Sequence, residues 1–280
     1  YAAAGEFATM YAPEDVPMPI SAAPDRHPFH DVLLTLASTT APSDEGGIRH
    51  MRTQYYGMIS EVDAQLGRVW QALKQRGMWE NTVIIVTADH GEQLGDHGLK
   101  EKVGYWESSY HIVGIVRDPL SPEGHGTVVS EFTENVDIVP TVCDAIGVEI
   151  PLQCDGLPLT PFLKAEKPRW WRDAASWEFD WRGSLIPMGE FAWPWDRRLE
   201  KSNLVVRRSQ DVAYVQFGDG SWLCFDLATD PTWRTAMQDN SVVLRNTQAM
   251  LQWRMQHADR TMTGVLVDGG LTGRLPPGVL

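Results

Sequence analysis

Asp89-His90-Gly91-Glu92, directly after the apolar run Thr82-Val83-Ile84-Ile85-Val86-Thr87-Ala88, is the part of this sequence best equipped for chemistry. A carboxylate beside an imidazole can hold a divalent cation, although two ligands do not complete a shell and others must come from elsewhere. Ca²⁺ and Mg²⁺ prefer all-oxygen shells, so an imidazole ligand shifts the expected ion toward Mn²⁺, Zn²⁺ or Fe²⁺. Lys102 follows thirteen residues after Asp89, with Lys100 close by. On a loop closing over a dication, its ammonium is suited to neutralise an oxygen of a transferring phosphoryl or sulfuryl group. Each piece also has a plainer use: Asp89 capping a turn, His90 in a polar pocket, Lys102 solvated. Gly91 permits a tight turn after the pair, and Gly95-Asp96-His97-Gly98 supplies a second. His97 reads as a loop-fixing hydrogen bonder rather than a third ligand.

The elements that must position these groups are legible in outline. The β-branched run at 82–87 has strand length and no polar face, which predicts a central strand of a parallel sheet buried on both sides. Ligands of open α/β sheets gather beyond the carboxyl ends of strands, where Asp89 and His90 fall. Upstream, Met51, Tyr55, Met58, Val62, Leu66, Val69 and Leu73 recur at helical spacing, and Gly77 suits the position after a helix end. Residues 91–110 read as a loop with at most a helical turn. Ile112–Val116 reads as the next buried strand, and a short helix over 135–146 places Val136, Val139, Val142 and Ile146 on one side. The Pro-rich stretch Tyr11–Pro19 predicts an extended surface segment. Past Pro161 come a crowd of tryptophans (170, 171, 177, 181, 193, 195) and alternating runs at 204–207, 213–217 and 222–225. Gly218-Asp219-Gly220 is a hairpin signal, so a small antiparallel sheet is expected. A helix capped near Asp239 runs to about Ala258, and the tail 264–280 lacks periodicity.

With 280 residues, 43% of them hydrophobic, the chain can bury a sizeable core. A net charge of −13 argues against a nucleic-acid footprint, so an anionic substrate needs positive charge placed locally. Cys143, Cys154 and Cys224 are odd in number and widely spaced, which favours a reducing, cytoplasmic setting. No apolar run reaches the ~20 residues of a membrane span. The chain starts at Tyr1 rather than Met and reads as part of something longer. His27 and His30 read as surface loop residues, His111 as a buried and satisfied histidine, and Cys143 as core. The tryptophans read as inter-sheet packing, with a binding cleft or a subunit contact as the alternative.

The segment TVIIVTADHGEQLGDHGLKEKVGYWESSYHIVGIVRDP, residues 82–119, resembles the sulfatase branch of the alkaline phosphatase superfamily. The closest likeness is to its phosphonate monoester hydrolase and arylsulfatase group. Val62-Asp63-Ala64-Gln65-Leu66-Gly67 on the upstream helix, Val136–Thr141, Asp155-Gly156 and Phe225–Pro231 fit the same family, and His257–Gly264 is similar to the tail of the phosphonate hydrolases. The resemblance implies an α/β fold, a mostly parallel sheet sandwiched by helices, followed by a smaller antiparallel subdomain. It implies Asp89 and His90 as metal ligands, with Mn²⁺ favoured over Zn²⁺, Fe²⁺ or Ca²⁺, and Lys102 as the substrate-contacting lysine. It also implies a formylglycine nucleophile, made from Cys or Ser in a C/S-x-P-x-R motif, whose hydrated form attacks phosphorus or sulfur. No such motif occurs here, and the family's paired N-terminal aspartates and upstream histidine acid have no counterpart. The expectation is therefore the C-terminal half of such an enzyme, inactive alone. Its partition would be 1–165 for the catalytic core, 166–235 for the antiparallel subdomain, and 236–280 for a helix and tail offering a subunit contact. The parent would be a homo-oligomer that cleaves a small anionic ester and contacts neither nucleic acid nor membrane. A phosphomutase of the same superfamily, or a non-catalytic scaffold, are the rival readings.

Overall fold

The computed structural model describes residues 1–151, 154–179, 201, 203–257, 265–268 and 271–274. After two 3-10 turns and a short helix, α1 (Pro28–Leu33), comes the long helix α2 (Glu45–Gln75), then strand β1 (Ile84–Thr87). A single helical turn, α3 (Glu107–Tyr110), leads to β2 (Gly114–Arg117), and α4 (Ile138–Ala145) and α5 (Thr160–Leu163) follow. Strands β3 (Ala174–Phe179), β4 (Leu204–Ser209), β5 (Val212–Phe217) and β6 (Trp222–Asp226) precede α6 (Asn240–His257) and a last hairpin, β7 (Val265–Asp268) and β8 (Leu271–Arg274).

α2 starts where the sequence gives it a cap: Asp44 accepts a hydrogen bond from the Gly47 N–H at 2.8 Å. It ends at Arg76, with Gly77 left-handed at the expected position. The Pro-rich stretch before it is not free surface. Arg49 donates to the carbonyls of Pro13 and Val16, Arg52 donates to that of Pro17, and Val16 is buried. Proline-rich backbone offers many carbonyls and few N–H groups, so arginines on the neighbouring helix hold it.

β1 and β2 pair antiparallel, from Ile84 opposite Arg117 to Thr87 opposite Gly114. The β-branched run predicted parallel neighbours with both faces buried; instead Ile84, Ile85 and Val86 are only half-buried, and Ile115 of the next strand, also expected buried, is 58% exposed. The segment between them, 88–113, folds back as a turn-rich loop rather than climbing as a crossover helix, and a returning chain pairs antiparallel. The apolar side of α4 is also uncovered: Val139 and Ile146 face solvent, while Pro140 and Thr141 are buried. Val62 and Val69 on α2 are likewise exposed, and Cys143 is half-buried rather than core.

The second sheet, order β3-β4-β5-β6, is antiparallel throughout, as its alternating runs require. Leu204, Val206, Val215, Phe217 and Phe225 point to one face and join Leu33, Leu99, Tyr105, Trp106 and Trp233 in one core. Val205, Tyr214 and Cys224 point to the other, against Met250 of α6. The predicted turn at 218–220 is there, with Gly220 left-handed. β3, and the hairpin in the supposedly aperiodic tail, went unforeseen. Among the tryptophans, Trp177 stacks with Tyr110 and Trp233, Trp170 is exposed, and 181, 193 and 195 lie outside the described residues.

Candidate functional site

Asp89 and His90 follow β1 after the single residue Ala88, at its carboxyl end. The Asp89 side chain is 86% exposed and that of His90 30% exposed. Asp89 Oδ1 accepts the His90 N–H at 3.0 Å, and Oδ2 lies 3.4 Å from His90 Nε2. The imidazole is fixed from behind: Nδ1 donates to the Gly91 carbonyl at 2.8 Å, which leaves the lone pair on Nε2. Lys102 Nζ reaches that nitrogen at 3.1 Å. A carboxylate oxygen, an imidazole lone pair and an ammonium thus converge on one exposed point, two of them suited to a cation and one to an anion.

This arrangement fits two ligands of a divalent ion: Nε2 is in the tautomer that ligates, and Asp89 Oδ2 turns toward it. It does not make a full shell, because among the described residues no three His, Cys, Asp or Glu side chains converge. His97 is not near it. Its ring is buried, stacked on Trp106 at 4.0 Å, and burial pushes its pKa down to about 3. It does fix the loop, though through its backbone: its N–H donates to the Ile20 carbonyl and its carbonyl accepts from His30 Nε2.

The loop that carries Lys102 is pinned far more firmly than its sequence suggested. Leu99, Val103, Tyr105 and Trp106 sit in the core of the four-stranded sheet. Asp96 accepts from Arg52 at 2.7 Å, from the Ile20 N–H, and from the Ser108 hydroxyl at 2.8 Å. The Gln93 amide donates to the Val103 carbonyl and to Ser109 Oγ. Gly91 was expected for turn freedom, but its use is close approach: a Cβ there would stand 2.2 Å from the Ser108 carbonyl oxygen. His27 and His30, read as surface residues, are buried beside Phe217 and Trp106, and His111, read as buried, is exposed. Arg52, Gln93, Asp96 and Ser108 were missed, and none of them stands out in the local sequence pattern.

Comparison with known proteins places this chain in a family. The sulfatase family profile matches residues 6–148, and that of the N-sulphoglucosamine sulphohydrolase C-terminal region matches 95–261. The chain belongs to the sulfatase family. PehA of Trinickia caryophylli, a multifunctional alkaline phosphatase superfamily protein, is 35% identical over 94% of this chain and 54% of its own length. Arylsulfatase K of Xenopus laevis is 31% identical over 73% of this chain and 37% of its own. The phosphonate monoester hydrolase of Agrobacterium radiobacter superposes with a TM-score of 0.79 at 34% identity, covering 97% of this chain and 57% of that one. The fold is thus alkaline-phosphatase-like, with a separate antiparallel subdomain. The chain spans about half the length of the curated phosphatase-superfamily relative it matches.

Proposed function

We propose that this chain supplies the metal-binding and anion-binding side of a sulfatase-family hydrolase of phosphonate or phosphate esters, or of sulfate esters. The observation that carries the reading is the convergence of Asp89 Oδ2, His90 Nε2 and Lys102 Nζ beyond the end of β1. In this reading Asp89 and His90 hold a divalent ion, Mn²⁺ first among the candidates. A bound divalent ion supplies Lewis-acid polarisation and charge for the ester oxygens. Lys102 binds a non-bridging oxygen of the substrate and neutralises charge that grows on it as the ester bond breaks. His90 keeps its Nε2 aimed at the site through the Gly91 carbonyl. The likeness to a phosphonate monoester hydrolase over nearly all of the chain favours phosphonate esters over sulfate esters.

The remaining ligands and a formylglycine nucleophile would come from polypeptide beyond these residues. What supports this is the apolar surface left open on α2, β2 and α4, where a further layer would cover it. The division we infer runs 1–165 for the core, 166–235 for the antiparallel subdomain and 236–280 for a helix and tail available to a second subunit. A homo-oligomer in the cytoplasm is consistent with three free thiols and an acidic surface. Among the described residues no helix is long and apolar enough to cross a membrane.

The test is the Asp89→Ala variant of the full-length protein, assayed for bound metal and for cleavage of p-nitrophenyl phenylphosphonate and p-nitrophenyl sulfate. Loss of both metal and turnover is expected, with the phosphonate the better substrate of the parent. A variant that kept its metal and its activity would end the reading.

A further inference from the structure

Between Leu94 and Gly104 the backbone enters the left-handed region six times, three of them at residues other than glycine: Leu94 (φ 49°), His97 (56°) and Glu101 (66°). Such conformations persist only where neighbouring structure enforces them. His97 is enforced by the stacking and backbone bonds already described. Glu101 has no such packing: its side chain is exposed, and it stands immediately before Lys102. Two backbone contacts hold it: its carbonyl accepts the Gln93 N–H at 3.2 Å, and its own N–H makes the shorter, charge-assisted bond to Glu92 Oε1 at 2.6 Å. The same oxygen accepts the Leu94 N–H at 3.2 Å, so one carboxylate oxygen ties both ends of the loop. Glu92 in turn projects from fixed backbone, since the N–H groups of Gly91 and Glu92 donate to the carbonyls of Ser109 and Ser108, each at 2.8 Å. Tyr1, from the segment laid along α2, stands close enough to Glu92 for that carboxylate to help raise its pKa, after burial as the leading cause.

We propose that Glu92 is a positioning residue for Lys102: its carboxylate keeps Glu101 in the left-handed conformation that holds Lys102 Nζ beside the point where Asp89 Oδ2 and His90 Nε2 converge. Hydrogen bonds from backbone N–H groups to a carboxylate are stronger than neutral ones, which suits a clamp working against an unfavourable backbone angle. The inference rests on the reading of Lys102 as the substrate-side cation, and the experiment separates the two.

The full-length protein is compared with Lys102→Ala, Glu92→Ala, Glu92→Asp and the Glu92→Ala/Lys102→Ala double variant. Each is assayed for kcat and KM on p-nitrophenyl phenylphosphonate. A ~1 Å misplacement of a binding group costs up to about 100-fold in rate, so Glu92→Ala should lower kcat/KM by about 10- to 100-fold. Glu92→Asp keeps the charge but retracts the oxygen by one methylene, and should lose about threefold or more by the same geometric argument. The double variant should be no slower than Lys102→Ala alone, because two residues acting through one group do not multiply. As a readout independent of turnover, lysines are labelled by reductive ¹³C-methylation; the Lys102 resonance, identified by its loss in Lys102→Ala, should move to the free-lysine position in Glu92→Ala. If Lys102→Ala is as active as the parent, the functional reading fails, and the resonance alone decides on the clamp. If Lys102→Ala is impaired while Glu92→Asp matches the parent, or the two losses multiply, or the resonance stays put, the positioning role is overturned and the functional reading stands.

Discussion

The β1–β2 sheet and the four-stranded sheet are built from comparably apolar strands and end in opposite states. In the four-stranded sheet, Val206, Val215, Cys224 and Phe225 are fully buried, and both faces are covered, one by α1 and the lysine loop, the other by α6. In the two-stranded sheet Ile115 is mostly exposed, and the apolar sides of α2 and α4 nearby face solvent too. The difference separates hydrophobicity from burial. In the four-stranded sheet the chain supplies cover for both sides, so successive residues are buried in two different clusters. A continuous apolar run asks for cover on two sides, and at β1–β2 neither is complete. The candidate site straddles this boundary: Asp89 and His90 hang from the open sheet, whereas Lys102 is carried by a loop rooted in the closed one.

Asp137 is where the two regions are riveted, so it offers the hardest test of that boundary. It is fully buried at the start of α4, takes both guanidinium nitrogens of Arg172, and also accepts the N–H groups of Leu157 and Glu134. Asp137→Ala would take its main partner from a mostly buried Arg172, leaving it Glu134 at 3.6 Å and the Phe132 carbonyl, and the expected loss is about 3–5 kcal/mol by urea unfolding. Phe225→Ala, within the closed region, should cost about 3–5 kcal/mol as well. Should urea instead show a small loss there, the closed region is not the stability core.

Acid should open the closed region first. His30 and His97 are buried as neutral rings, and burial, the leading cause in both, pushes their pKa values down to about 4 and about 3. The charges around them are Arg26 and Asp31 for His30, and Arg234 and Asp230 for His97. The unfolded chain takes up protons below its ordinary histidine pKa of about 6.5 while the folded chain does not, so this contribution is complete above that pH and is lost as pH falls toward the folded values. Each tenfold difference in proton affinity is worth about 1.4 kcal/mol, so the loss by pH 4.5 is on the order of 3 kcal/mol for each ring. Replacing His97 by Phe should flatten the acid limb of a stability-versus-pH curve; an unchanged limb would assign it to carboxylates. The smallest effect belongs to the open sheet: Ile115→Ala should shift the stability of this chain by no more than about 0.5 kcal/mol. A larger value would mean the strand is covered after all.

Legibility in the sequence followed the same boundary. The four-stranded sheet, its hairpin turn and α2 with its cap-ending glycine were readable, because alternation, helical spacing and turn residues are local signals. Strand direction at β1 was not, since it depends on what 88–113 does rather than on the run itself. The site divided likewise. Asp89, His90 and Lys102 could be nominated by chemistry and spacing, and they converge. Their support could not: Asp96 meets Arg52 across 44 positions of sequence, and Glu92 meets Glu101 across nine. No short-range pattern encodes either meeting, and buried His27 and His30 looked no different from surface histidines beside a proline.

α2 runs its 31 residues without a break, from the cap at Asp44 to the approach to β1. At ~1.5 Å and ~100° per residue, one inserted residue anywhere in its second half would carry Trp79 forward and swing it around the axis by more than a quarter turn. Trp79 lies under the Arg117 guanidinium, and its carbonyl accepts from that side chain, so the swing would reach the β1–β2 ladder. Insertions and deletions in homologous chains should therefore cluster ahead of Asp44 or between α4 and β3, and spare the helix itself.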